Sequence, residues 1–188
     1  MDMRPYDKFS KKNRRLTGYD YRLGGLYFIT ICTKDRLPYF GEVKEGVMEL
    51  SDEGIIARDY WLEIPAHKPQ VFLGEFVVMP NHVHGIIGIE TATGNVTAGH
   101  CPAVAAGEKN PFMTGISPKS GSISQIIGSY KSACTKMIRC MRTEPFAWQD
   151  RFHDRIIRNQ QELQRIEDYI LANPEKWPED KFFISKEM

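Results

Sequence analysis

Two histidines one residue apart, inside a run with the character of a buried strand, constrain this chain most. The run is Met79-Pro80-Asn81-His82-Val83-His84-Gly85-Ile86-Ile87. Residues i and i+2 of a strand point to the same face, so His82 and His84 project side by side while Val83 faces the opposite layer. Two imidazoles on a rigid strand suit one divalent metal ion with open coordination positions. The pattern alone is equally consistent with two half-buried histidines in ordinary hydrogen bonds.

The bulk composition is that of one globular domain. The chain has 188 residues, of which 41% are hydrophobic and 26% are charged. No apolar run approaches the length of a membrane span, so no membrane partner is expected. The first residues contain no apolar signal-peptide core, which favours a cytoplasmic location. The four cysteines show no CxxC spacing and are interpreted as reduced thiols without a disulfide framework.

The charge is distributed unevenly, although the net charge is only +1. The segments 4–22 and 131–158 are basic, whereas 42–63 is acidic. This pattern is typical of a protein with one charged face and little net charge. Ordinary solvated surface charge is an alternative that explains it equally well.

Runs of β-branched and aromatic residues predict six strands. The predicted strands are Leu26–Thr33, Gly41–Lys44, Val47–Leu50, Val71–Met79, His82–Ile89 and Trp148–Ile157. Leu26–Thr33 has the composition of a central strand. Glu45-Gly46 is expected to link the two short strands as a tight turn.

Capping residues and apolar spacing predict three helices. Their expected ranges are Asp52 to Ile64 after the cap Ser51, Ile123 to Met141 after Ser122, and Gln160 to about Asn173 after Asn159. Pro65 and Pro174 are expected to end the first and last of them. The order of elements predicts an α+β fold, with a ferredoxin-like antiparallel sheet and helices packed on one face.

The chain divides into an arm, a domain and a tail. Residues 1–22 are interpreted as a basic N-terminal arm, 23–177 as the folded domain, and 178–188 as a C-terminal tail. The stretch from about 91 to 121 is rich in small and polar residues without periodicity, so it is expected to be a flexible insertion.

Tyr169 and Asn173 lie four residues apart on the last predicted helix and share one of its faces. They flank the apolar stripe of that helix, so a phenol and an amide oxygen could face a metal site on a neighbouring strand. A boundary tyrosine and a helix-end asparagine are the ordinary explanation of the same pattern.

In combination, these motifs resemble the single-tyrosine HUH transposases. That group comprises small single-strand insertion-sequence transposases and REP-associated tyrosine transposases. The similarity runs from about Tyr19 to Trp177 and includes the His-Val-His motif and the Tyr169–Asn173 pattern. The resemblance implies that His82 and His84 are catalytic metal ligands, that Asn173 is a third ligand, and that Tyr169 is the nucleophile.

The resemblance also implies an activity, a cofactor and a partner. The implied enzyme cleaves single-stranded DNA beside a hairpin, forms a 5′-phosphotyrosine link and transfers the strand. The divalent metal is expected to be Mg²⁺ or Mn²⁺. A bacterial, nucleoid-associated cytoplasmic protein is implied, and either a homodimer or a monomer is compatible with the resemblance.

The basic segments supply candidate DNA contacts. These are Arg14 and Arg15 on the arm and Lys131, Lys136 and Arg139 on one helix, all suited to phosphates. His153 is interpreted as a group that supports the metal ligands or contacts DNA, with a plain surface histidine as an equal alternative. Tyr130 and Tyr60 compete with Tyr169, although Tyr130 lies on an apolar stripe typical of the core.

Two alternative functions stay open at this point. The first is a domesticated relative that binds hairpin DNA or RNA without cleaving it. The second is an unrelated metallohydrolase in which His82 and His84 activate water, an enzyme that would not need Tyr169.

Overall fold

A four-stranded antiparallel sheet forms the centre of the protein in the computed structural model, which describes residues 25–90 and 122–183. The strands are β1 (Gly25–Cys32), β2 (Gly41–Lys44), β3 (Val47–Leu50), β4 (Val71–Met79), β5 (His82–Ile89) and β6 (His153–Ile157). The order across the main sheet is β4-β5-β1-β6, and β2 and β3 form a separate hairpin. The expected arm, the insertion and the last five residues of the tail lie outside the described residues.

β1 and β5 are the two interior strands, which confirms the prediction that Leu26–Thr33 is central. β1 pairs with β5 on one side and β6 on the other. Tyr27, Ile29 and Ile31 are fully buried on one face of β1. Cross-strand pairing on both sides satisfies the backbone groups of these strands, so they supply a rigid base for the side chains on the other face.

The four described helices are α1 (Asp52–Leu62), α2 (Ile64–His67), α3 (Ile123–Met141) and α4 (Gln160–Leu171). The predicted caps are confirmed: Ser51 accepts a hydrogen bond from the Gly54 amide at 3.1 Å, and Asn159 accepts one from Glu162 at 2.8 Å. Pro65 does not end the first helix as predicted. It lies in the first turn of α2, where its missing N–H costs nothing, and α1 ends earlier, at Leu62.

The predicted α+β class with an antiparallel sheet is confirmed, but the helices lie on both faces of the sheet. α1 and α3 pack against the face that carries Tyr27, Ile29 and Val83. α4 packs on the opposite face, where Ile166 and Ile170 contact Ile86. The prediction of helices on one face therefore holds for α1 and α3 alone. The reason is that β5 is buried on both faces: Val83 and Ile87 face α1 and α3, while Ile86 on the other face is covered by α4.

The last strand is shorter than predicted. Only residues 153–157 form β6, while Trp148 pairs with Thr33 in an isolated bridge. Between that bridge and the Thr30–His153 pair, the 148–153 segment has two more residues than the strand it faces. The extra residues cannot join the ladder, so the chain bulges outward there.

Two further predictions can be compared with the described residues. Cys32, Cys134 and Cys140 are free thiols, as expected. In 25–90 and 122–183 no helix combines the length and the apolar character needed to cross a bilayer.

Candidate active site

The two histidines of β5 project from the face of the sheet that α4 covers. The centres of their rings are 4.4 Å apart, and neither side chain has exposed surface. Val83, between them, belongs to the core on the opposite face. The alternation of a strand therefore produces the side-by-side arrangement, and we call His82 and His84 the histidine pair.

Asn81 fixes the orientation of His82. Its amide nitrogen donates to the carbonyls of Arg36 and Phe182 at 3.1 and 2.8 Å, so its oxygen must face the His82 ring. That oxygen lies 2.9 Å from His82 Nδ1, which is then the protonated nitrogen and the donor. The lone pair of His82 Nε2 is left free, and this buried atom has no hydrogen-bond partner among the described residues.

Thr30 holds His84 from the neighbouring strand. The two residues are directly opposite each other in the β1–β5 register, and Thr30 Oγ1 is 2.8 Å from His84 Nδ1. The ring also stacks on Phe28, with the ring centres 5.2 Å apart. With Nδ1 engaged, Nε2 is the nitrogen that faces the site.

Both imidazoles are neutral at physiological pH. Burial lowers the pKa of His84 to about 3, and the positive charge of Lys181 adds to the effect. The pKa of His82 is lowered well below its usual range by burial, by the proximity of His84, and by the charges of Lys181 and Arg36. Neutral imidazole is the form that binds a metal ion.

Tyr169 reaches the histidine pair from α4. Its hydroxyl is 3.2 Å from His84 Nε2 and 3.3 Å from Asp180 Oδ2, to which it donates. Burial and the Asp180 carboxylate raise the pKa of this phenol. The side chain is 38% exposed, so Tyr169 is the accessible edge of an otherwise buried cluster.

Asn173 follows the end of α4 and is buried. Its side chain is 2% exposed, and its Oδ1 has no hydrogen-bond partner among the described residues. A hydrogen bond from Asn173 moderates the rise in the Tyr169 pKa, which places its amide beside the phenol. Two buried atoms with free lone pairs, His82 Nε2 and Asn173 Oδ1, fit a site for a divalent cation with nitrogen and oxygen ligands.

Two known proteins are similar to this chain in sequence or in fold. A protein of Haemophilus influenzae, described only as uncharacterized, is 36% identical over 176 residues and covers 93% of each chain. The two proteins belong to one family. A solved structure of a REP-associated tyrosine transposase bound to a REP hairpin matches with a TM-score of 0.57 and 20% identity, covering 89% of this chain and 76% of that one. This chain has the fold of a tyrosine transposase. No family model matches it.

The resemblance of the sequence to the HUH transposases is thus confirmed at the level of the fold. On that transposase fold, the residues that the resemblance singled out come together. His82 and His84 share one face of the sheet, and Tyr169 contacts the second of them.

Asp180 and Phe182 also lie at the site, although the sequence predicts only a C-terminal tail for 178–188. Ligand atoms of His82, His84 and Asp180 all lie within 4.8 Å of one another, a grouping that could hold a metal ion. The Phe182 ring lies 4.7 Å from the His82 ring and covers the histidine pair. The signal available in the sequence was aromatic: Trp177 and Phe182 are large apolar residues in a polar stretch, which indicates burial.

The predicted DNA-contact residues that the structure describes lie away from the histidine pair. Lys131 donates to the Gln149 carbonyl, and Arg139 donates to the Phe146 carbonyl at 3.2 Å, so both hold the loop that leads to β6. Lys136 is exposed on the same helix, α3, which covers the face opposite the histidine pair. Arg14 and Arg15 lie outside the described residues.

The remaining candidates are placed as follows. His153 lies opposite Thr30 in the β1–β6 register, so it shares the face of the histidine pair but sits beyond Thr30, on an edge strand. Tyr130 is 3% exposed, donates to the Ala57 carbonyl at 2.9 Å and packs in the core across the sheet, which excludes it as the nucleophile in this arrangement. Tyr60 lies on α1, on that same far side.

Proposed function

We propose that this protein is a metal-dependent single-strand DNA endonuclease and strand transferase. It acts through a 5′-phosphotyrosine intermediate at hairpin-flanked sites. One observation carries the proposal: the Tyr169 hydroxyl is 3.2 Å from His84 Nε2, beside a buried His82 Nε2 without a partner. The fold similarity to a tyrosine transposase bound to a REP hairpin supports DNA as the partner.

The metal-binding residues are assigned from their free lone pairs. His82 and His84 supply imidazole nitrogens, and Asn173 supplies an amide oxygen. Asp180 is a further oxygen ligand, because each carboxylate oxygen has more than one lone pair and can make more than one contact. Mg²⁺ or Mn²⁺ suits this mixed set with open positions. When bound, the cation polarises the scissile phosphate and offsets the charge on its oxygens.

Tyr169 forms the new bond to phosphorus, and Asp180 accepts the phenolic proton. A phenol of raised pKa is protonated at neutral pH and needs an acceptor for its proton. Asp180 Oδ2 accepts its hydrogen bond and takes that proton as the phenolic oxygen attacks phosphorus. The tyrosine–phosphorus bond forms, the bond to the 3′ oxygen breaks, and the leaving oxygen takes a proton from water.

The second half of the reaction runs in reverse. The 3′-hydroxyl of another strand attacks the phosphotyrosine and gives its proton to water, the tyrosine–phosphorus bond breaks, and Tyr169 takes its proton back from Asp180. The phosphodiester bond energy is conserved in the covalent intermediate, so strand transfer needs no nucleotide cofactor.

The site is assembled within one chain. Tyr169, His84 and Asp180 contact each other in a single protomer, which supports activity in cis and a functional monomer. Dimerisation is compatible with such a site but is not needed to complete it. We expect the protein to act on DNA at the bacterial nucleoid. Arg14, Arg15 and the exposed Lys136 are proposed phosphate contacts, with Lys131 and Arg139 shaping the adjoining loop.

The test is a cleavage assay on hairpin oligonucleotides taken from the DNA that flanks the gene. Wild-type protein with Mn²⁺ is expected to give a covalent protein–DNA band on a denaturing gel. Tyr169→Phe and His82→Ala are expected to give none. Tyr60→Phe, which removes a hydroxyl from the far side of the sheet, is the matched control and retains the band.

Two other outcomes would replace the proposal. Binding on a native gel with no adduct at any flanking site indicates a domesticated protein that binds hairpin DNA or RNA. Cleavage that survives Tyr169→Phe without an adduct indicates a metallohydrolase that uses water.

A further inference from the structure

Two cations flank the ring that covers the histidine pair. The Arg36 guanidinium carbon is 5.1 Å from the centre of the Phe182 ring, and Lys181 Nζ is 4.8 Å from it. Phe182 in turn packs on His82. Both charges act on the His82 imidazole, since both contribute to its lowered pKa. The outer side of the cluster therefore carries two positive charges beside the single carboxylate of Asp180.

Within the described part of the chain, neither of these two cations is paired with a carboxylate. Across 25–90 and 122–183, neither Arg36 nor Lys181 forms a salt bridge, whereas Arg58, Arg142 and Arg155 each pair with a carboxylate. In the same ranges the Arg36 guanidinium donates one hydrogen bond, to the Lys181 carbonyl at 3.0 Å. Its other N–H groups are available to an anion.

A strained turn holds Arg36 in place. Asp35 and Arg36 both have left-handed backbone conformations, with φ values of 55° and 56°, which non-glycine residues adopt rarely. Asn81, which also orients His82, donates to the Arg36 carbonyl at 3.1 Å. One asparagine thus links the backbone of Arg36 to the imidazole of His82. Strain of this kind persists where the surroundings impose it, and it clusters at functional sites.

We propose that Arg36 and Lys181 form a phosphate-binding pair that holds the backbone of single-stranded DNA beside the scissile phosphate. This inference rests on the proposed function and adds to it the residues that guide the strand to the site. A guanidinium and an ammonium offer the charge-assisted hydrogen bonds that phosphate oxygens accept. Such contacts position the strand without reading its sequence.

The test measures how binding depends on salt. The probe is a fluorescent oligothymidylate of about 16 nucleotides, followed by anisotropy over a series of NaCl concentrations with EDTA present. Each phosphate contact contributes about 0.7 to the slope of log K against log salt for a single strand. Arg36→Gln and Lys181→Gln are each expected to reduce the magnitude of this negative slope by about 0.7, and the double variant by about 1.4.

Two matched variants separate charge from structure. Arg36→Lys keeps the cation and is expected to retain the wild-type slope. Arg58→Gln removes the same charge from α1, where Arg58 pairs with Asp59, and should leave the slope unchanged. Lys181→Gln keeps the backbone carbonyl that accepts the Arg36 bond, so it reports on the charge even if Arg36→Gln fails to fold.

The outcomes for this inference and for the proposed function are distinct. A wild-type slope in the double variant, or no binding of the probe by wild-type protein at low salt, overturns the phosphate-binding pair. If the magnitude of the slope decreases as expected but no covalent adduct forms on hairpin DNA, the phosphate-binding pair is supported and the proposed cleavage is not.

Discussion

The Tyr169 hydroxyl lies 3.2 Å from His84 Nε2, although 85 positions separate the two residues in the chain. The contact depends on β5, which turns His84 toward the face that α4 covers. It also depends on Ile166 and Ile170, which seat α4 against Ile86 on that face. The phenol of one helix and an imidazole of one strand are thereby held together by ordinary apolar packing.

Metal binding should stabilise the fold. Mn²⁺ at about a hundredfold excess over its Kd is expected to raise the free energy of unfolding by about 2.7 kcal/mol, because it binds only the folded site. EDTA should reverse the effect, and His84→Ala should abolish it. Urea denaturation with and without Mn²⁺ measures the change. A stabilisation that persists in His84→Ala would place the metal elsewhere.

The oxygen ligands can be told apart by titration. Asn173→Ala and Asp180→Asn are each expected to weaken Mn²⁺ binding at least about tenfold, since even groups that only support a ligand have effects of this size. Isothermal titration calorimetry gives the Kd of each variant. An unchanged Kd removes that residue from the ligand set.

Asn81 should matter for metal binding although it offers no ligand. Asn81→Ala removes the acceptor that orients His82, so Mn²⁺ affinity is expected to fall about 10–100-fold. The lost bonds to the Arg36 and Phe182 carbonyls should lower the free energy of unfolding by about 1–3 kcal/mol.

Asn159→Ala is the control for Asn81→Ala. It removes the cap of α4 and should cost about 1 kcal/mol of stability while leaving the Mn²⁺ affinity unchanged. Equal Kd values in calorimetry for Asn81→Ala and wild-type protein would contradict the orienting role.

Gly85 should tolerate no side chain. A Cβ at this position would lie 2.3 Å from Trp61 Cζ2 and 2.9 Å from Phe76 Cβ, so Gly85→Ala is expected to destabilise the fold by about 1–3 kcal/mol. Gly128 on α3 has nothing within 4 Å of the same point, and Gly128→Ala should stabilise by about 1 kcal/mol. Urea denaturation of both variants decides the matter, and a neutral Gly85→Ala would show that the core behind the histidine pair is loosely packed.

Stability should depend on pH through Glu53 and Arg142, whose charged groups are 2.7 Å apart. Burial alone would raise the pKa of Glu53, but its own amide, Ser51 and Arg142 together lower it. A depressed pKa contributes stability above the unfolded value of about 4.3, and that stability is lost as pH falls through the folded value.

Glu53→Gln is therefore expected to cost about 0.5–1 kcal/mol at neutral pH and less at about pH 3. Urea denaturation at the two pH values measures the difference. Glu144→Gln removes an exposed partner of the same arginine and should have little effect at either pH. A Glu53→Gln cost that is the same at both pH values would rule out the ion pair as its source.

Local chemistry explains what could be predicted from the sequence. The alternation of His82, Val83 and His84 predicted that both histidines project from one face of the strand. Ser122 and Asn159 predicted where two helices begin. Each of these depends on neighbours in the chain. The side-by-side histidines and the approach of Tyr169 followed from such signals once a strand and a helix were assumed to pack.

The rest depends on contacts between distant segments. Nothing near Asp180 in the chain indicates that its carboxylate lies close to His84. Lys131 and Arg139 are of the residue types that contact phosphates, although in the structure they donate to loop carbonyls. The placement of α4 on its own face also needed knowledge that β5 is covered on both sides. Pro65 misled because a proline that ends one helix can equally begin the next.

The role of Tyr169 as the nucleophile is tested by finding which residue becomes covalently bound to DNA. The protein is incubated with Mn²⁺ and a flanking hairpin oligonucleotide, digested with trypsin, and examined by mass spectrometry for a nucleotide adduct. We expect the adduct on the peptide Ile166–Lys176, at Tyr169. An adduct on a peptide that contains Tyr60 or Tyr130, or cleaved DNA with no adduct on any peptide, would contradict it.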